Sequence, residues 1–272
     1  MSTETRNVSI SKIDVVASRV SKMEDAVARE VSVHLFIGSI HFVSILCSPS
    51  NLKDLITGHL LCEGLVNSVE DILEVRFEEG NRCYVTLRKA DQGNHAVISK
   101  PFSRLIVSSC GNVNYGSLSE LLNQIQLDPL PCWRIDPKTI SSAVRSLNVQ
   151  AKIFRETGGV HVAALFRQDG TLVALAEDVG RHNAVDKVIG SVAQGRENLN
   201  ECFLALSGRM TGDIVLKTAR VGIPILASLS AAVDSGLEVA EKFGSTLIGF
   251  VRGRRMNVYT SPDRIKIRPL VR

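Results

Sequence analysis

The sequence predicts a mixed protein: a smaller N-terminal α+β unit followed by a larger three-layer α/β/α unit. Three observations predict it. In the C-terminal half, strand-length apolar runs (CFLALS, IPILAS, STLIGFV) alternate with amphipathic helical segments, the pattern of a sheet that is at least partly parallel. In the first hundred residues, two hairpin patterns flank a single helix. The 272 residues, 44% hydrophobic, suffice for one large core or two modest ones. The smaller unit is assigned to residues 1–108, with the tail 263–272 packed on it, and the larger to 109–262.

The first 28 residues carry weak pattern. Val31, Val33, Leu35 and Ile37 then alternate with more polar neighbours, as a strand does. Gly38-Ser39 supplies a turn, and Ile40, Phe42 and Ile45 begin the return strand. A helix follows, with Ser48 as cap, Pro49 at its first position, Leu52, Leu55, Ile56 and Leu60 on one face, and Gly64 as its stop. Residues 72–78 and 82–88 read as a hairpin around Glu79-Gly80-Asn81, closing the smaller unit near Leu105. Residues 108–116 form a small, polar, turn-rich loop containing Cys110, followed by a short helix at 117–125. Asp136-Pro137 starts a helix with Ile140, Val144 and Leu147 on one face. HVAALF and TLVALA make a hairpin around RQDG, and NAVDKVIGSVA, MTGDIVLKTARV and AAVDSGLEVAEKF are helical.

Composition excludes several classes. No eighteen-residue apolar run suggests a membrane span, and MSTETRNVSISKID lacks the apolar region of a secretory leader. A cytoplasmic protein with reduced thiols is the expectation. The net charge of +4 suits an anionic ligand but shows no nucleic-acid reading element. Basic residues crowd the C-terminus from Arg252 to Arg272, either as a solvated tail or as a phosphate-facing patch. Neither GxxxxGK[ST] nor GxGxxG occurs. A zinc deaminase needs HxE and PCxxC. Here Pro131-Cys132 ends on Ile135, and Val162-Ala163 follow His161, so no catalytic zinc is expected, nor a structural zinc or an iron–sulfur cluster.

Ligands of such sheets bind beyond the carboxyl ends of strands. Four predicted ends are polar: Glu177-Asp178, Ser207-Gly208, Ser228-Leu229-Ser230 and Arg252-Gly253. They should share one rim if their strands run parallel. Arg181 and His182 open a helix there, where they can meet an anion, and Asp186 follows on the same face. Glu177 and Asp178 can cap that helix or accept from a base or sugar. Arg209 stands at a second helix mouth, with Lys217 further along it and open to a plain surface reading. His161 follows Gly158-Gly159 and reads equally as a proton relay or a structural group. Cys110 reads equally as a reactive thiol or an incidental loop residue. Cys47, Cys62, Cys83 and Cys202 lie in apolar segments and read as small hydrophobes; Cys132 stays open.

The chain resembles the FdhD family, the formate dehydrogenase accessory sulfurtransferases. The resemblance runs through AREVSVHLFIG, ITGHLLCEGLV, SSCG at 108–111, TGGVH at 157–161, EDVGRHNAVDKVIG at 177–190, LSGRM, and the long block 222–260. It implies that Cys110 accepts persulfide sulfur from a cysteine desulfurase. The sulfur then passes to the molybdenum cofactor, bis-molybdopterin guanine dinucleotide, before that cofactor enters formate dehydrogenase. The cofactor is thus a bound substrate, with GDP as a surrogate for one end. Arg209, Arg252, Arg254 and Arg255 are implied as phosphate partners, and His161 or His182 as support for the thiolate. Glu177, Asp178, Arg181, Ser207, Gly208, Ser228, Phe250 and Asn257 complete the implied cofactor site. The resemblance also implies a cytidine-deaminase-like fold without zinc chemistry, and a homodimer. One departure stands out: many members carry CxxC in the loop, whereas Val113 occupies the second position here. The alternative is a chaperone that binds the cofactor or the dehydrogenase without moving sulfur.

Overall fold

The computed structural model describes residues 4–88, 122–123, 125–195 and 197–267. Cys110, its loop and the boundary near residue 108 lie outside the described residues, as does the predicted helix 117–125 apart from residues 122, 123 and 125, of which Leu122 and Asn123 are helical. Among the described residues there are three sheets, of two, four and six strands.

The weakly patterned N-terminus forms the two-stranded sheet, an antiparallel ribbon of β1 (Thr5–Asp14) and β2 (Arg19–Ala28). Most of both strands is exposed, so no buried face imposes an apolar alternation on the sequence. The four-stranded sheet contains β3 (Val31–Ile37), β4 (Ile40–Cys47), β5 (Ile72–Glu78) and β6 (Arg82–Leu87), in the order β4-β3-β6-β5. Val33, Leu35 and Ile37 turn inward from β3, as their spacing requires. Gly80 and Asn81, both at positive φ, make the tight β5–β6 turn.

Helix α1 (Leu52–Cys62) starts later than the sequence suggests: its cap is Asn51 in the left-handed region, not Ser48. Ser48 is used elsewhere. Its backbone N–H donates to Asp178 Oδ2 at 3.0 Å, and its Oγ accepts from the Val179 N–H at 3.1 Å.

The six-stranded sheet comprises β7 (His161–Arg167), β8 (Leu172–Asp178), β9 (Cys202–Leu206), β10 (Ile225–Ser228), β11 (Thr246–Arg252) and β12 (Arg255–Val258). The order is β12-β11-β10-β9-β7-β8, with β9, β10 and β11 parallel. Helices cover both faces: α2 (Pro137–Gln150) and α3 (Lys152–Thr157) on one, and α4 (Arg181–Ala193), α5 (Gly212–Arg220) and α6 (Asp234–Phe243) on the other. β9 shows why a continuous apolar run marks such a strand. Leu204 and Leu206 pack with α4 and α5, while Phe203 and Ala205 pack with α2. Asp136 caps α2 by accepting from the Lys138 N–H at 2.7 Å, with Pro137 at the first turn.

α1 lies between the smaller sheet and α4. Leu55, Ile56 and Leu60 join the smaller core, whereas Cys62 joins the larger one. Gly58 and Gly190 let the two helix backbones touch: a Cβ on Gly58 would run into the Asp186 carbonyl, and one on Gly190 into the Asp54 carbonyl. Buried charges line the same seam. Lys187 Nζ sits 2.7 Å from Asp178 Oδ2 and donates to the Ser48 carbonyl. Lys217 is buried against Asp186 and Glu63, and is not the surface residue its sequence context suggests. The described part of the tail packs on the larger sheet, not the smaller: Ile265 bridges to Ile135, and Arg264 donates to the carbonyls of Gly244 and Pro131. Arg264 therefore belongs to neither a solvated tail nor a phosphate patch; its guanidinium fastens the chain.

Candidate functional site

The strand register brings the polar ends to one edge of the larger sheet. His161 at the start of β7 pairs with Asp178 at the end of β8. Ala163 pairs with Leu206, which in turn pairs with Ser228. Beyond β10, the Arg252–Arg255 pair closes the row. β8, β9, β10 and β11 thus point their carboxyl ends the same way, and the antiparallel β7 contributes its amino end. Backbone bonds sew the connecting loops together: the Met210 N–H donates to the Ala231 carbonyl and the Phe250 N–H to the Ser230 carbonyl.

The predicted residues at this edge divide into three groups. Glu177, Asp178 and Ser228 face inward. The Glu177 carboxylate accepts from the backbone N–H groups of Lys152, Ile153 and Phe154 at 2.7–3.1 Å, so it caps α3 rather than offering its oxygens to a base. Asp178 is fully buried, and its oxygens take Lys187, Ser48, Gly180 and Asn183. Ser228 is buried as well; its hydroxyl donates to the Gly208 carbonyl at 2.6 Å and accepts from the Ser230 N–H.

The second group converges around Gly208. A Cβ there would lie 3.1 Å from Arg181 Cβ and 3.5 Å from His161 Nδ1, so a glycine is what lets these side chains close over the loop. His161 Nδ1 lies 3.4 Å from Ser207 Oγ, which accepts from the Val162 N–H. Burial, reinforced by Arg181, His182 and Arg209, holds the His161 imidazole below its ordinary pKa. Burial also lowers Arg181, with Arg209 adding to the effect while Asp213 opposes it. Arg209 is exposed. This is a cationic cluster at the mouth of α4, a setting that favours a negative ligand.

Sequence reasoning missed Asp213 and Thr211. Asp213 pairs with His182 Nε2 and accepts from the Thr211 hydroxyl and, at 2.9 Å, from the Ile214 N–H. Burial would raise its pKa, but the hydrogen bond from His182 and its charge hold it below the usual carboxylate value. The only available signal was an acid in the first turn of a helix, which ordinary capping explains equally well.

The third group is Phe250, Arg252, Arg254, Arg255 and Asn257, all exposed. Phe250 has φ 50°, an uncommon conformation for an aromatic residue, and it sits where the β11–β12 register shifts. Its ring lies in the open with the Arg252 guanidinium 5.8 Å from its centroid, while Arg252 Nε donates to the Leu229 carbonyl. Strand β12, which carries Arg255 and Asn257, was not foreseen.

Cys47, Cys62, Cys83 and Cys202 are buried, as their apolar settings predict. Burial pushes Cys47 and Cys83 up to about 12 and Cys202 to about 11, so none is a ready nucleophile. Cys132 is exposed. Among the described residues no group of three or more His, Cys, Asp or Glu side chains could hold a metal ion, and no helix is long and apolar enough to cross a membrane. A cavity of about 1370 Å³ opens at the opposite edge of the sheet, past Asn198, Asn200 and Gly222, and its described lining contains none of the predicted cofactor-binding residues.

A sequence model of the FdhD/NarQ family matches residues 28–266. The chain is 38% identical over 269 residues to a sulfur carrier protein FdhD from Sulfolobus acidocaldarius, covering 97% of this chain and all of the other. It is 33% identical to a protein of the same name from Shouchella clausii, over 91% of this chain and 92% of that one. Among solved structures, a protein described as a formate dehydrogenase accessory protein from Desulfotalea psychrophila superposes with a TM-score of 0.77 at 29% identity, covering 96% of this chain and 99% of that one.

Proposed function

The chain belongs to the FdhD/NarQ family, and from that premise we propose that it is a sulfur carrier serving formate dehydrogenase, with Cys110 as the carrying thiol. The Cys110 thiolate attacks the outer sulfur of a desulfurase persulfide. A new S–S bond forms on Cys110, the old one breaks, and the desulfurase cysteine leaves as a thiolate. The outer sulfur then passes to the bound cofactor, the substrate, before that cofactor enters the dehydrogenase. The S–S bond on Cys110 breaks, Cys110 leaves as a thiolate, and a reduced Mo(IV) form of the substrate supplies the two electrons that convert the sulfane sulfur to sulfide. The protein acts in the cytoplasm, where thiols stay reduced, and as a homodimer; its larger unit is read as a cytidine-deaminase-like fold.

The observation that carries this reading is the convergence of His161 and Arg181 over Gly208, with the Arg209 charge close enough to act on both. A partly buried cationic cluster at a helix mouth suits the diphosphate of a dinucleotide. Because Glu177 and Asp178 are engaged by the protein itself, the guanine is assigned to the Phe250 ring and the Asn257 amide, one giving a stacking face and the other both a donor and an acceptor. The buried cysteines are unsuited to carry sulfur, which leaves Cys110 and Cys132, and the resemblance selects Cys110. A single thiol suffices for a persulfide, so Val113 in the second position does not remove the activity.

Incubation with a cysteine desulfurase and cysteine, followed by intact-mass measurement, tests the reading. A sulfur adduct that disappears in Cys110→Ala but persists in Cys132→Ala is expected, together with loss of formate dehydrogenase activity in cells carrying Cys110→Ala. An unmodified protein that still binds GDP would make it a chaperone instead.

A further inference from the structure

Asp213 sets a carboxylate inside the cationic cluster around Gly208. It is the second residue of α5 and only 3% exposed. Its Oδ1 is taken by the Thr211 hydroxyl and, at 2.9 Å, by the Ile214 N–H, while Oδ2 pairs with His182 Nε2. Against the burial that would raise it, these contacts hold the carboxyl below its usual range, so at neutral pH Asp213 has no proton to give. Nε2 is therefore the donor of the pair.

Fixing a proton on one imidazole nitrogen decides what the other can do. With Nε2–H committed to Asp213, Nδ1 carries a lone pair when the ring is neutral and an N–H when it is cationic. No described residue makes a hydrogen bond to Nδ1, and the side chain is 26% exposed, so this edge of the ring is open to a ligand. The charged and titratable groups around it are Arg181 on its own helix α4, His161 at the start of β7, Arg209 in the β9–α5 loop and Asp213 on α5. Asp178, at the end of β8, is already engaged by Lys187. An anion entering this pocket favours the cationic ring, because a nearby opposite charge stabilises the protonated form. His161 is placed differently: its Nδ1 lies 3.4 Å from Ser207 Oγ, which carries no charge.

We propose that His182 is the proton-exchanging group of the anion site and Asp213 the residue that positions it. Asp213 pins one proton on Nε2. A bound diphosphate is then met by Nδ1, which takes up a proton from solvent and donates it as a hydrogen bond to a phosphate oxygen. This rests on the reading of the cluster as a diphosphate site. Asp213→Asn is the discriminating change. The Asn oxygen must stay on the Ile214 N–H, so its amino group turns to Nε2 and makes that nitrogen an acceptor. The ring is then neutral, with its one proton on Nδ1, and has no proton left to take up when the ligand binds. His182→Gln tests the same point without altering the buried acid: Gln can still offer an amide N–H to Asp213, but it has no second nitrogen to protonate.

Two measurements on the full chain test this. Nitrogen NMR of the imidazoles, on the alkaline side of the ring's titration, should find the His182 proton on Nε2 in the wild type and on Nδ1 in Asp213→Asn. Calorimetry with GDP between about pH 7 and 9 should show wild-type affinity falling by up to about tenfold per pH unit, the limit for one proton taken up per ligand. The profile should be flat in Asp213→Asn and in His182→Gln. A flat wild-type profile would overturn the proposal. So would a slope that survives in His182→Gln, which would hand the role to His161, or an Asp213→Asn protein with the wild-type tautomer and slope. Sulfur uptake on Cys110 is read separately, by mass. A flat wild-type profile with a normal adduct removes this proposal alone, whereas a sloped profile without an adduct supports it and removes the sulfur-carrier reading.

Discussion

Lys217 Nζ stands 2.9 Å from both carboxylate oxygens of Asp186, deep in the seam between α1, α4 and α5. Glu63 lies 2.9 Å from the same ammonium, and His59 Nδ1 lies 3.2 Å from Asp186. Removing one member of such a set strands the others. Lys217→Met should cost about 3–5 kcal/mol. The Asp186→Asn, Lys217→Met double variant should lose less than the two single losses combined. Urea unfolding of the four proteins measures the coupling.

His161 should make the protein acid-sensitive. Burial, then Arg181, His182 and Arg209, place its folded pKa below the ordinary 6.5. The unfolded chain therefore takes up the proton first. The stability held by the neutral imidazole is complete above about pH 6.5 and is lost as pH falls through the lower folded value. His161→Gln should flatten that acid limb, read as urea midpoints between pH 7.5 and pH 5.

Glu177→Ala should remove the cap of α3 and cost about 0.5–2 kcal/mol. Because its oxygens already serve Lys152, Ile153 and Phe154, the preference for GDP over ADP should survive. Calorimetry with both nucleotides checks it; a variant that no longer distinguishes them would return Glu177 to base recognition.

Arg209→Ala should weaken GDP binding by about 1.5–3 kcal/mol, the worth of a hydrogen bond to a charged group, and reduce its salt dependence. Phe250→Ala should weaken GDP and guanosine alike, since stacking is blind to the diphosphate. Arg252, whose Nε is already bonded to the Leu229 carbonyl, should matter less than Arg209. Equal losses from Arg209→Ala and Arg252→Ala would disprove that ranking.

Gly58→Ala adds one methyl where the Asp186 carbonyl already stands. Overpacking of this kind costs typically 1–3 kcal/mol or more. The melting temperature should fall accordingly, while Gly38→Ala at an open turn should lose only what its positive φ imposes.

The larger sheet was legible because its strands are buried on both faces. CFLALS and IPILAS could hardly be anything else, and turn residues marked where each ended. The rim was legible for the same reason, since polar residues end each apolar run. What those residues do there was not. Glu177 and Asp178 look like ligand groups in sequence, but their partners, Lys152 and Ser48, are remote in the chain. Lys217 looked exposed because its carboxylates lie 31 and 154 residues away. The β1–β2 ribbon was illegible because neither of its faces is wholly buried, so the alternation that betrays a strand has no cause to be present.

α1 has consequences for how the chain is made. Its glycine-lined face closes on α4, which begins at Arg181, so about 120 residues must be synthesised after α1 before its docking partner exists. Until then Gly58, Cys62 and the lone carboxylate of Glu63 stay in water on the growing chain. Contacts of such long sequence separation form late and slowly. The nascent N-terminal sheet is therefore an unfinished layer with one side of its helix bare, the kind of species that chaperones hold. Its completion is timed by the ribosome's arrival at α4 rather than by its own sequence.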